Sequence, residues 1–311
     1  MAARISRFER YVRGLEPDEK VELLELLMDQ ATPPTENSIG LVSMYDLFED
    51  AMKLARAGNS MSGLSTGFRN LDEMTLGLCG GELITIFGYT SMGKSQLAQN
   101  IALNVALEGH QVLFIGLELT NKQNAARIIK MNAMDPSGAA LPFVFPDTPD
   151  VSYTDIAQII RTAQAGGKLG LVVVDQLQDL IHSMSNEQGE IGQIMGELKR
   201  AAIEHDVPVI VVSHVNRQGA TPGPPPLEVL KGSSSIEQKT DIAISVYRDY
   251  EAELGDDMFN RMAVALRKNR QRGMQKSAGH LQIGQGMRLM EERPAPVLVP
   301  LFGHNRPGDL S

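Results

Sequence analysis

Residues Gly88-Tyr89-Thr90-Ser91-Met92-Gly93-Lys94-Ser95 place two glycines, a lysine and a serine in the spacing Gly-x-x-x-x-Gly-Lys-Ser. That order suits the holding of a polyphosphate. Glycines let backbone N–H groups curl around a β-phosphate, the helix N-terminus that follows adds partial positive charge, and the Lys94 ammonium reaches the β- and γ-oxygens. Ser95 offers a hydroxyl to Mg2+, and the expected nucleotide-binding set runs from Gly88 through Gln96. The metal also needs an acid from elsewhere in the chain. Asp175 supplies it at the end of "LVVVD", where a buried carboxylate is costly unless a cation or solvent meets it. Hydrolysis further needs a carboxylate that positions water, and Glu118, at the end of "VLFIGLE", is the candidate. The expected ligands are ATP and Mg2+.

Lys268 and Arg270 form a second constellation. Residues two apart in a strand point the same way, so both cations project together from the end of "MAVALR". A solvated basic edge and a phosphate contact are both open readings of this pair.

The elements that must hold these groups show as alternating patterns. From about Gly63 onward, the apolar runs "LITIF", "QVLFIGL", "FVF", "LVVVD", "VPVIVVS", "DIAISVY" and "MAVALR" alternate with helical periodicity such as "QLAQNIALNVAL". Near-continuous β-branched runs between helices predict an α/β fold with a mainly parallel central sheet covered on both faces. "ATPGPPPLEVLKGSSS" interrupts that order. Ahead of it lie a charged helix, "DEKVELLELLMDQA", a break at "TPPTENS", and a second amphipathic helix carrying Met44, Leu47, Phe48, Ala51, Leu54 and Ala55. That stripe either packs on its own domain or docks on another subunit. The expected organisation is a helical segment and linker over 1–42, a linker helix over 43–58, the main domain over 59–293 and a tail over 294–311.

Composition bounds the partners. A chain of 311 residues builds one sizeable core with a smaller appendage. No apolar run approaches the length of a membrane span, and the start has no apolar signal core, so a cytoplasmic protein without membrane contact is expected. The single cysteine, Cys79, fits a reducing compartment and excludes an internal disulfide. A net charge of −9 excludes a surface that is basic all over, yet from Asn260 to Arg293 there are eight Lys or Arg against two Glu.

The stretches "GLSTGFRNLDEMTLGLCGGELITIFGYTSMGKSQLAQNIA", "LELTNKQNAARI", "LVVVDQLQDL", "VIVVSHVNR", "GSSSIEQKTDIAISVYRD" and "ALRKNRQRG" resemble, in order, the motifs of the ATPase domain of DnaB-type replicative helicases, a branch of the RecA-like fold. The likeness covers roughly residues 60–290. It implies an ATP-hydrolysing helicase that assembles into a hexamer and moves on single-stranded DNA. Glu118 is then the catalytic carboxylate, Asp175 the metal-side acid and His214 the γ-phosphate sensor, in a family where many members carry Gln there. Arg127 joins the nucleotide-binding set, and Lys268 and Arg270 cross the subunit interface to the neighbour's γ-phosphate. The linker helix docks on the adjacent subunit. DNA contact falls to the loops at about Ile181–Gly192 and Asn216–Ser235, with Lys231, Gly232, Ser233 and Ser234 in the aligned motif. Lys231 stands where the family usually has Arg, and Gly232 where it has an acid. A helicase loader or primase is a further implied partner, although the family's larger N-terminal collar domain has only residues 1–42 as its counterpart. A RecA- or RadA-like remodelling ATPase and a nucleotide-gated loading protein are the competing readings.

Overall fold

The computed structural model describes residues 63–132, 141–148, 150–181, 187–215, 223–248, 261–270 and 276–291, with Gly14, Met44, Leu47, Phe48 and Met52 before them. The chain divides into two compact units, Met1–Ser60 and Met61–Ser311. In the first, Met44, Leu47, Phe48 and Met52 are helical, and Met44 and Leu47 are exposed. The expected charged helix near the start, the "TPPTENS" break, the tail and the 216–222 part of the Pro-rich excursion lie outside the described residues.

The second unit opens with a short helix, α1 (Arg69–Thr75), and then alternates β1 (Leu83–Gly88), α2 (Lys94–Leu107), β2 (Gln111–Gly116) and α3 (Asn121–Met131). Next come β3 (Phe143–Val144), α4 (Ile156–Ala165), β4 (Leu169–Asp175), α5 (Glu187–Glu204), β5 (Val209–His214) and α6 (Ser234–Lys239). The order closes with β6 (Ile242–Tyr247), β7 (Arg261–Asn269), β8 (Lys276–Ile283) and β9 (Leu289–Glu291). The strands form one sheet in the order β3-β2-β4-β5-β1-β6-β7-β8-β9. Strands β3 to β6 in that order are parallel, and β7, β8 and β9 extend the sheet antiparallel. The mainly parallel α/β architecture matches the expectation from the apolar runs.

Burial explains why those runs are apolar throughout. Every residue of β1 and β4 is buried, because helices cover both faces of the sheet. Full burial of each Val, Leu or Ile contributes roughly 1.5–3 kcal/mol. α2 is buried on nearly all sides, so it needs no polar outer stripe. Three of the polar residues it carries, Gln96, Asn100 and Asn104, recur one turn apart and meet protein partners. Gln96 and Asn100 donate to the carbonyl of Met287 at 2.9 and 3.2 Å, and Asn104 donates to the carbonyl of Thr66 at 2.8 Å. Arg288 returns donors to Asn100 and Asn104. α3 starts cleanly because Thr120 and Gln123 form a reciprocal capping box.

Two strands lie beyond the expected apolar runs, and two expected loops are partly helical. β8 and β9 join the sheet although "KSAGHLQI" carries Lys, Ser, Gly and His rather than an apolar run. The expected DNA loop at Ile181–Gly192 becomes the first turns of α5 from Glu187 onward. The Asn216–Ser235 excursion likewise ends in a 3-10 turn, Leu227–Ser233, that runs into α6.

Candidate nucleotide-binding site

Parallel strands place their carboxyl ends along one edge, and the expected groups collect there. Gly88 pairs with His214 across β1 and β5, and Gly116 pairs with Asp175 across β2 and β4. The chain reverses after Gly88 into the phosphate loop. A side chain at Gly88 would meet the carbonyl of Val246 at 2.7 Å. Gly93 has φ +90°, a left-handed conformation that disfavours other residues, and a Cβ there would strike the Met262 side chain. The two motif glycines are thus required for different reasons. Tyr89 and Met92 are buried beneath the loop, while Thr90 and Ser91 face outward.

Lys94 is only 3% exposed and its ammonium curls back over the loop. Nζ donates to the Tyr89 carbonyl at 2.9 Å and lies 3.0 Å from Nδ1 of His214. Burial, then the Lys94 charge, pull the His214 pKa down, with Glu118 opposing. A neutral imidazole is therefore favoured, and it accepts through Nδ1. Ser95 donates to Asp175 Oδ1 at 2.8 Å. Burial pushes the Asp175 carboxyl up to about 6; the Ser95 hydrogen bond and Lys94 lower it, and Glu118 and Asp179 raise it. Glu118 is exposed just past β2 and lines a cavity of about 280 Å3 with Thr120, Asn121, Pro146 and Asp147.

The hydroxyl of Ser95 and the carboxylate of Asp175 are adjacent hard oxygen donors, the set that Mg2+ prefers. The Tyr89 carbonyl and Nδ1 of His214 are neutral partners of Lys94, which phosphate oxygens would outcompete. The residues present fit a magnesium nucleotide.

Other expected residues fall elsewhere. Gln96 turns its side-chain amide onto Met287 and away from the loop. Arg127 is exposed on α3 and makes no hydrogen bond or ion pair among the described residues. Lys268 donates to the carbonyl of Glu237, and Arg270 donates to the carbonyl of Gln238 at 2.9 Å and to Asp241 Oδ1 at 3.0 Å. Both cations thus hold the carboxyl end of α6, where unpaired carbonyls and the helix dipole favour positive charge. Lys231, Gly232 and Ser233 lie in the 3-10 turn and Ser234 opens α6; their side chains lie outside what is described.

Two residues of the site escape a reading of motifs. Gln178 grips the end of β5 from the turn after β4: its Oε1 accepts from the His214 N–H at 3.1 Å, and its Nε2 donates to the His214 carbonyl and the Ser213 hydroxyl, each at 3.2 Å. Asp179 faces Glu118 closely enough that burial and this neighbour raise its pKa. The signal was available in "DQLQD", whose polar residues follow Asp175 directly into a 3-10 turn at the strand end.

The DnaB-like helicase C terminal domain family matches residues 63–138 and 136–282. The chain belongs to that family. This DnaB-like domain is 31% identical over 271 residues to a probable replicative DNA helicase of Trieres chinensis, covering 77% of this chain and 59% of that protein. It is 30% identical over 259 residues to the replicative DNA helicase DnaB of Geobacillus stearothermophilus, covering 74% and 56%. The DnaB-like chain therefore spans a little over half the length of the curated relatives it matches. Among solved structures, the ATPase domain of G40P is similar with a TM-score of 0.69 and 25% identity, over 83% of this chain and 100% of that one. A DnaB-like replicative helicase, in a structure that describes its interactions with primase, shares the fold with a TM-score of 0.68 and 24% identity, over 94% and 76%. The fold class expected from the motifs stands. Among the described residues, no helix is long and apolar enough to cross a membrane.

Proposed function

We propose that this chain is the motor of a ring-shaped DNA helicase that hydrolyses ATP, moves along single-stranded DNA and separates duplex during replication. The observation that carries the reading is the convergence of Lys94, Ser95, Asp175, Glu118 and His214 at the carboxyl ends of four adjacent parallel strands or the turns that follow them. Mg2+, when bound with ATP, supplies charge neutralisation at the phosphates. Backbone amides from Gly88 to Ser95 and the Lys94 ammonium hold the phosphates, and Ser95 and Asp175 hold the metal. Glu118 orients the attacking water and accepts its proton at a carboxylate oxygen. His214, neutral and in reach of Lys94, senses what the phosphate loop holds.

The remaining roles need copies of the chain. Lys268 and Arg270 bond to α6 within their own subunit, and in a hexamer they would reach the neighbour's γ-phosphate. The exposed Met44 and Leu47 suit residues 43–58 as the helix that docks on the adjacent subunit. Lys231 to Ser234 would face the pore, where a single cation repeated around a ring makes a track for the DNA backbone. Loader or primase binding, and work in the cytoplasm of a bacterium or phage-infected cell, complete the reading.

Forked duplexes with either a 5′ or a 3′ single-stranded tail test it. One tail polarity should support strand separation with ATP, and neither should with a non-hydrolysable analogue. DNA-dependent hydrolysis without separation on any fork would favour the remodelling ATPase instead.

A further inference from the structure

Arg267 has no partner across the β6–β7 ladder. Ala243 pairs with Lys268 and Ile244 pairs with Leu266, which leaves Arg267 as the extra residue of a β-bulge. A bulge re-aims the side chain it carries. This guanidinium reaches the stem of the Pro-rich segment: Nε donates to the Pro225 carbonyl at 3.1 Å and to the buried Ser245 hydroxyl at 3.0 Å, and Nη2 donates to the Pro224 carbonyl. Pro224, Pro225 and Pro226 have no N–H, so this stem can be tied to the sheet only through its carbonyls. Half-burial and a planar fork of donors make the tie geometrically specific.

The same strand holds the other end of the segment. Lys268 donates to Glu237, and Arg270 donates to Gln238 and Asp241. Three cations of β7 and the residue after it therefore clasp both sides of a stretch that contains Lys231 to Ser234.

We propose that Arg267 is a positioning residue that couples the DNA-contacting segment to the interface cations. When DNA displaces the Pro224–Pro225 stem, the guanidinium passes that movement to the bulge, and so to Lys268 and Arg270 beside it. The coupling rests on the reading above, in which the segment meets DNA and those two cations meet the neighbouring nucleotide. Arg267 itself touches neither.

The test compares the full-length wild-type, Arg267→Gln and Arg267→Lys proteins in three measurements: hydrolysis without DNA, hydrolysis with oligothymidylate, and oligothymidylate binding by fluorescence anisotropy. For Arg267→Gln, unstimulated hydrolysis and binding should stay within about twofold of wild type, while the stimulation ratio falls by about fivefold or more. Arg267→Lys, whose ammonium cannot span the same set of acceptors, should fall between the two. Where a melting curve shows that Arg267→Gln does not fold, Arg267→Lys carries the comparison with a reduced ratio as the expected result. An unchanged ratio, or a joint loss of binding and unstimulated hydrolysis of the kind a plain structural anchor produces, overturns the proposal. A wild-type protein that oligothymidylate does not stimulate removes the helicase reading and the coupling together; stimulation in wild type that survives fully in Arg267→Gln removes the coupling alone.

Discussion

The ammonium of Lys94 lies 3.0 Å from Nδ1 of His214, with the Tyr89 carbonyl as its other neutral partner. One charged side chain thus joins the phosphate loop after β1 to the end of β5, the strand that leads into the Pro-rich segment. Any phosphate that draws Lys94 away leaves His214 without that donor. Gln178 holds the backbone N–H and carbonyl of His214, so the backbone stays in place while the bonding of the imidazole changes.

Turnover should separate the two ends of this site. Lys94→Ala should abolish binding of a fluorescent ATP analogue or its hydrolysis, because the loop loses its cation. Glu118→Gln should bind the analogue normally and hydrolyse ATP about 100-fold more slowly or worse, the range for losing a positioned general base. A Glu118→Gln protein with normal hydrolysis would show that the catalytic carboxylate lies elsewhere.

Arg270 should act across subunits. Its ion pair with Asp241 is 54% exposed on the arginine side, and Asp241 keeps Lys199 at 2.6 Å and the Leu83 N–H at 2.9 Å without it. Arg270→Ala should therefore cost less than about 1 kcal/mol of stability while removing most hydrolysis. Mixing it with Lys94→Ala should restore part of the rate, since some interfaces then pair an intact loop with an intact Arg270. Mixed rings that form and stay inactive would place its action within its own subunit.

Asp175 gives the metal-free protein a dependence on pH. Folding raises its carboxyl from 3.8 to about 6, mainly by burial, so the native state holds the proton where the unfolded chain has lost it. Stability from this group is full below about pH 4, falls as pH rises to about 6, and stays low above. In metal-free urea melts, Asp175→Asn should exceed wild type at about pH 7.5 by on the order of 2–3 kcal/mol at most, narrowing toward about pH 4.5. The variant should also lose stabilisation by magnesium nucleotide. A gap that ignores pH would mean that burial does not govern this carboxyl.

Lys231→Ala should weaken single-strand binding and flatten its salt dependence by about 0.7 log units per decade for each DNA phosphate that the lysine no longer neutralises. Unstimulated hydrolysis should persist, and stimulation by DNA should fall. Oligonucleotide titrations at several salt concentrations decide; the same affinity and slope would remove this residue from the DNA path.

The elements of the candidate site were legible because their patterns are local. A phosphate loop needs glycines at fixed offsets, and strands buried on both faces must be apolar from end to end, so β1, β2, β4, β5 and β6 announce themselves. Distant packing hid the rest. Gly192 closes the loop expected from the resemblance, yet it lies in α5, where a Cβ would meet the Ser235 hydroxyl at 3.0 Å. Its small size serves the approach of α5 to α6 rather than a turn. Arg267 looked like the polar end of "MAVALR", because no local pattern reveals a bulge that depends on how two strands register. Gln96 follows the loop motif, but its side-chain partner is the carbonyl of Met287, far along the chain.

That last hydrogen bond ties the start of α2 to a distant part of the chain. α2 carries the phosphate loop at its start, but Gln96 and Asn100 find their acceptor only in Met287, and Asn100 accepts from the N–H of Leu289 at 2.9 Å. A nascent chain that has extruded β1 and α2 still has these amides in water. The helix behind the loop therefore acquires its full set of partners only when the turn between β8 and β9 packs against it, so the amino end of the candidate site depends on a contact made nearly 200 residues along the chain.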